Sequence, residues 1–130
     1  MSVRAAHFIL YVADQAASAA FYRRVLAAEP RLDVPGMTEL AIGEGAVLGL
    51  MPAAGIARLL GDAIAAPEAP GRAPRAELYL RVDDPAAFHA RALAAGAREL
   101  SPLLPRGWGD EAAYSADPDG YVIAFARALG

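Results

Sequence analysis

Glu111-Ala-Ala-Tyr-Ser-Ala116, then Asp117-Pro118-Asp119-Gly120, then Tyr121-Val-Ile-Ala-Phe-Ala-Arg127 is the stretch that decides how this chain folds. Pro118 presets φ at the first central turn position, Asp117 suits the turn start, and Gly120 accepts a left-handed backbone without steric cost. Apolar runs flank the turn, so the stretch predicts a β-hairpin with a bulged turn. Its second arm is apolar on both faces. Tyr121, Ile123 and Phe125 point one way, and Val122, Ala124 and Ala126 the other. Such a strand is covered on each side. A helix is expected on one face, and another sheet or a ligand cavity over the small residues of the Ala124 face.

Outward from the hairpin, the chain reads twice through one order of elements. In the first half a strand at 4–12 leads to a helix from Gln15 to about Ala27, with Asp14 as N-cap. Ala17, Phe21 and Val25 recur at helical spacing, while Arg23 and Arg24 lie off that stripe. Short strands at about 29–34, 37–42 and 46–51 follow, separated by Pro35-Gly36 and Gly43-Glu44-Gly45. In the second half a strand at 75–82 leads through Asp84-Pro85 to a helix ending near Ala95, with Phe88, Ala92 and Leu93 inward. A strand near 98–103, the loop from Pro105 to Gly109, and the hairpin complete it. His89, beside Arg91, reads as surface. Leu10-Tyr11-Val12-Ala13-Asp14 aligns with Leu80-Arg81-Val82-Asp83-Asp84, and Ala20-Phe21-Tyr22-Arg23 with Phe88 and its neighbours. This internal repeat predicts two copies of one supersecondary unit that bury their faces together. The copies span about 4–52 and 75–127 of a single domain. The Pro- and Gly-rich joint between them, 52–74, carries an apolar piece at 56–64 read as a short helix or ordered loop.

Composition narrows the functional classes. The net charge is −3, which argues against nucleic acid or an anionic membrane as partner. The absence of cysteine excludes disulfides, thiol chemistry and cysteine metal sites. No apolar stretch has bilayer length, and Ala13-Asp14-Gln15 interrupts the early apolar run, so a soluble cytoplasmic protein is expected. All twelve basic residues are arginine, a bias read as genomic composition.

The order and spacing of Leu10 to Asp14, Ala20-Phe21-Tyr22, Val25-Leu26, Trp108-Gly109-Asp110, Ala113-Tyr114 and Asp117 to Ile123 resemble the vicinal oxygen chelate superfamily, the group of glyoxalase I, bleomycin resistance proteins and extradiol dioxygenases. The resemblance covers nearly the whole chain. It implies an α+β fold of paired βαβββ modules, a curved mixed sheet around a cleft, and a homodimer. It also implies metal-ligand positions on the first and last strands of each module. His7 and Glu77 fall on the first-strand positions, and Gly49 and Ala124 on the last-strand ones. Gly49 and Ala124 cannot bind a metal. His7 and Glu77 are therefore the ligands only if water, substrate or other side chains complete the shell of a divalent ion.

Each candidate residue has a plain alternative. His7 is either a strand-end histidine satisfied by a hydrogen bond, or a ligand, base or donor in a pocket. Glu77 is either a solvated carboxylate paired with Arg75 or Arg81, or cleft-facing. Trp108, in a Gly-flanked loop, is either a pocket wall that stacks on a flat ligand or packing against the sheet. Tyr11, Met51 and Tyr79 line the same space or belong to the core. Asp117 and Asp119 are turn residues. The expectation is a protein that holds an apolar or aromatic small molecule, oriented by His7, Glu77 and Arg81, with no cofactor. The alternative is a divalent-metal-dependent lyase, isomerase or dioxygenase of the same superfamily, and no catalytic residue is assigned.

Overall fold

The computed structural model of the protein describes residues 2–65, 67 and 74–130. The fold is α+β and divides into two compact units, residues 1–23 with 27–69 and residues 24–26 with 70–130.

The first unit runs β1 (Ala6–Val12), α1 (Gln15–Leu26), β2 (Leu32–Val34), β3 (Met37–Gly43), β4 (Ala46–Pro52) and α2 (Ala53–Leu60). Its sheet has the order β1-β4-β3-β2, with β1 parallel to β4 and the other pairs antiparallel. Helix α1 starts where the sequence places it, because Asp14 Oδ1 accepts from the Ala17 N–H at 2.9 Å. Such a cap contributes about 1 kcal/mol. Gln15 ties the helix start to the sheet, donating to Val34 O at 2.8 Å and Thr38 Oγ1 at 2.9 Å. Thr38 shares its sheet face with Leu40, Leu48, Leu50 and Val12, all buried. That face is the core of the unit. The opposite face carries His7, Ile9, Tyr11, Met37, Glu39, Gly49 and Met51. Phe8 lies on the core face as the alternation requires, yet it is 55% exposed. β1 is the edge strand of its sheet, so Phe8 is open on one flank although its partner in register, Leu48, is fully buried. The apolar piece at 56–64 becomes α2 and a short 3-10 turn, with Ile56 buried. The joint beyond it falls mainly on residues 66 and 68–73, outside the described residues.

The second unit repeats the order: β5 (Glu77–Arg81), α3 (Pro85–Ala94), β6 (Arg98–Pro105), β7 (Asp110–Ala116) and β8 (Val122–Ala128), in the sheet β5-β8-β7-β6. Again the first strand is parallel to the last, and the rest are antiparallel. Asp84 caps α3 through the Ala87 N–H at 3.1 Å, and Phe88 meets Phe125 with ring centroids 5.4 Å apart. The β7–β8 turn forms as read. Gly120 has φ 90°, its N–H reaches Asp117 O at 2.9 Å, and Asp117 Oδ1 accepts from the N–H groups of Asp119 and Tyr121.

His89 is not on the surface. The buried stripe of α3 is Pro85, His89 and Ala92, which places His89 one turn before Ala92. Its Nε2 sits 2.8 Å from Glu99 Oε2 on β6, so a partner on the sheet offsets the burial of a polar ring.

Strand β6 is irregular for a reason visible in its composition. Pro102 has no N–H to give to β7, and the register slips twice between Glu99 and Leu104. The Arg106 side chain supplies donors in their place. Its Nε and Nη2 reach Ala112 O at 3.2 and 2.7 Å, and Nη2 reaches Pro102 O at 3.1 Å and Ser101 Oγ at 2.6 Å. The guanidinium also lies 5.0 Å from the Tyr114 ring centroid.

Candidate functional site

Strand register gathers the candidate residues into two clusters, one in each unit. In the first, His7, Tyr11 and Met51 share the face opposite the core. His7 Nδ1 stands 3.4 Å from Glu39 Oε2, and Glu39 Oε1 pairs with Arg31 Nε at 3.1 Å. Glu39 was not singled out by sequence. It lies on β3, directly across from Gly49, and only pairing of the middle strand shows that it faces His7. The carboxylate holds the imidazole by one nitrogen, and Nε2 makes no hydrogen bond among the described residues.

Gly49 is a place of close approach. A Cβ there would come within 3.0 Å of Ile9 Cγ1 and 3.2 Å of the Met37 sulfur. The position left blank by glycine is thus filled by its neighbours. It offers no open space beside Ile9 and Met37.

In the second unit Glu77, Tyr79 and Arg81 share the face of Ala124 and Ala126, and the register adds Asp110, Ala112 and Tyr114. Three of the four sequence candidates here join one polar string. The Trp108 indole N–H donates to the Tyr79 hydroxyl at 2.9 Å, and that hydroxyl donates to Asp110 Oδ2 at 2.5 Å. Arg81 Nη2 approaches the same oxygen at 2.9 Å. Glu77, the fourth candidate, is exposed and makes no ion pair among the described residues; Arg81 pairs with Asp110 instead. Asp110 is buried and Trp108 is 60% exposed, so the string runs from solvent to core.

The loop explains the position of Trp108. Arg106 N–H bonds Asp110 O at 2.7 Å, Gly109 has φ 92°, and the tight turn between them projects the indole. Burial first, and then the hydrogen bond to Asp110, push the Tyr79 hydroxyl above its ordinary value of 10.0. Tyr114 is raised as well, by burial first and then by the charge of Glu77. Both phenols are neutral at physiological pH, and Tyr79 acts as a donor to Asp110. Ala124, between the two tyrosines in register, is fully buried.

Within each unit the residues at the metal-ligand positions that the resemblance implies do not assemble a full set of donors. His7 has one carboxylate neighbour, Ile9 and Met37 close the Gly49 position, and Ala124 offers no donor. Among the described residues no three His, Cys, Asp or Glu side chains gather into a group that could hold an ion. A surface recess of 710 Å³ in the first unit lies elsewhere, between Asp14, Gln15 and Arg23 of the α1 region and Asp33 to Pro35. It shares no residue with either cluster. No helix among the described residues is long and apolar enough to cross a membrane.

A family model for the Glyoxalase/Bleomycin resistance protein/Dioxygenase superfamily matches residues 4–125, and the chain belongs to that superfamily. Among solved structures, a glyoxalase-related enzyme from Fulvimarina pelagi is 27% identical, with TM-score 0.78, over 93% of this chain and 85% of that one. A family enzyme from Burkholderia phytofirmans PsJN superposes with TM-score 0.82 at 20% identity, over 95% and 97% of the two chains. TioX from Micromonospora sp. ML1 gives TM-score 0.70 at 22% identity, over 96% and 98%. The last two likenesses concern the fold alone. No curated protein matches the sequence.

Proposed function

We propose that the protein is a small-molecule binding member of its superfamily, holding an aromatic or apolar ligand without a superfamily-type metal centre. The observation that carries this reading is the exposed Trp108 indole, anchored through Tyr79 to the buried Asp110. An exposed aromatic ring held in one orientation offers a stacking surface at little entropic cost. In this reading Arg81 and Glu77 orient the ligand on the second unit, and His7, Tyr11 and Met51 offer a separate binding face on the first. Trp108 is the sole tryptophan, so its emission reports on the site. Planar aromatic compounds should quench it saturably. By calorimetry, Trp108→Ala should weaken the same ligands by about 1–3 kcal/mol, the loss of one aromatic stack. A panel in which nothing quenches saturably defeats the proposal.

The alternative, a divalent-metal lyase, isomerase or dioxygenase, draws support from the open Nε2 of His7 and from the related enzyme of Fulvimarina pelagi. Elemental analysis after metal-supplemented expression separates the two readings. A stoichiometric metal that His7→Ala abolishes restores the enzyme.

A homodimer is part of the same proposal. β1 ends its sheet and exposes Phe8, Ile9 and Tyr11 on both faces, which suits a two-fold partner. Light scattering should give twice the chain mass, and Phe8→Glu should shift it toward one.

A further inference from the structure

We infer that Asp110 is a specificity residue. Its second carboxylate oxygen accepts a hydrogen bond from a hydroxyl or N–H group on a planar ligand stacked against Trp108. This rests on the binding reading above and names the class of ligand.

The Asp110 side chain is 2% exposed, and one oxygen carries both of its polar contacts among the described residues. Oδ2 takes both the Tyr79 hydroxyl and Arg81 Nη2. Oδ1 accepts no hydrogen bond among the described residues. Among the described residues Ser18 Oγ, His89 Nδ1 and Ser115 Oγ are sealed from solvent without a partner, and Asp110 Oδ1 is not sealed in that way. An unpartnered acceptor on a buried carboxylate is costly, and it retains a path to the outside. A ligand donor satisfies it. An ether, carbonyl or methyl group in the same place leaves it desolvated and unpaired, so the site discriminates by chemistry as well as by shape.

Arg81 offsets the charge of Asp110, so the donor need not be cationic. The flat face comes from Trp108, whose Nε1–H is committed to Tyr79. The Tyr79 and Trp108 ring centroids stand 6.4 Å apart with the planes inclined at 58°. A ligand that fits both features is an aromatic ring with a donor on its edge.

Indole and 1-methylindole form a matched pair that differs in one N–H. Calorimetric titration of the wild-type protein should show indole binding roughly 10- to 100-fold more tightly, the worth of one hydrogen bond to a charged acceptor. In Asp110→Asn, checked for an intact thermal transition, the ratio should fall to within about threefold, since the acceptor loses its charge. Should that variant fail to fold, the wild-type ratio alone decides. Equal wild-type affinities for the two compounds overturn the inference and leave the binding reading standing. No saturable heat from either, with Trp108 emission unmoved across the wider aromatic panel, removes both.

Discussion

Asp117→Ala removes the side chain on which the β7–β8 hairpin turns, and the structure sets the size of the effect. Asp117 Oδ1 accepts from the Asp119 N–H at 2.9 Å and the Tyr121 N–H at 2.8 Å, and the residue is 5% exposed. Hydrogen bonds to a charged group contribute about 1.5–3 kcal/mol each, and two that share one oxygen do not add in full, so alanine should cost about 2–4 kcal/mol. For a chain of this length that corresponds to a melting temperature lowered by roughly 10–20 °C. Asp117→Asn keeps an oxygen acceptor without its charge and should lose about half as much. Gly120→Val attacks the same turn from its other end. With φ 90° at Gly120, a β-branched residue is strained by about 1–3 kcal/mol. Urea denaturation followed by circular dichroism gives all three values. If Asp117→Ala lies within about 0.5 kcal/mol of wild type, an ordinary surface effect, the backbone bonds alone hold the turn. The Asp117 carboxylate is then no organiser of the hairpin, and the two side-chain hydrogen bonds are refuted as its source of stability.

Arg106→Leu should destabilise by about 2–3 kcal/mol in the same assay, because Ala112 O and Pro102 O lose the donors that replace the broken ladder. Gly49→Val should cost about 1–3 kcal/mol by overpacking against Ile9 and Met37, and Gly49→Ala less, since the methionine can swing away. Tyr79 and Tyr114 are raised above 10.0 in the folded state. Their contribution is therefore complete below the unfolded value and is lost as pH rises through the folded one. With no lysine and no cysteine in the chain, tyrosines dominate side-chain titration there. The urea midpoint should fall above about pH 10, and the fall should shrink in Tyr79→Phe.

The elements were legible because their signals are local. Asp14 and Asp84 cap helices, Asp117 to Gly120 makes a turn, and alternation assigns strand faces, all within a few residues. Pairing is not local, and there the sequence misled. Glu39 lies on a strand that reads only as a link in the repeat, and Asp110 entered only as part of the Trp108-Gly109-Asp110 motif; their roles appear once β3 is set beside β4 and β7 beside β8. The signal Asp110 did carry was its place in that motif, which says nothing of its partners. His89 was misjudged by its neighbour Arg91, although its spacing to Ala92 already placed it on the buried stripe. Gly49 was read as a position without a metal donor, and only pairing shows that Ile9, its partner in register, packs over it.

The repeat itself explains why the two clusters differ. Matching the registers sets Gly49 against Ala124, Ile9 against Tyr79, His7 against Glu77 and Glu39 against Tyr114. Each unit thus places a small residue on its last strand beneath a larger one on its first. Each also sets a polar first-strand residue near a polar group on the third. In the first unit that relation is His7 with Glu39, and in the second it is the charge of Glu77 acting on Tyr114. Asp110 falls outside the correspondence. Its counterpart by register is Pro35, in the β2–β3 turn, which carries neither charge nor N–H. The string from Trp108 to Asp110 is therefore an addition to one copy only. Tyr79→Phe should cut it at its centre, freeing the indole N–H and removing a donor from Asp110 while sparing the rings. Trp108 emission should then shift and broaden, with the hairpin unaffected. An unchanged emission spectrum would show that the indole is held by packing alone.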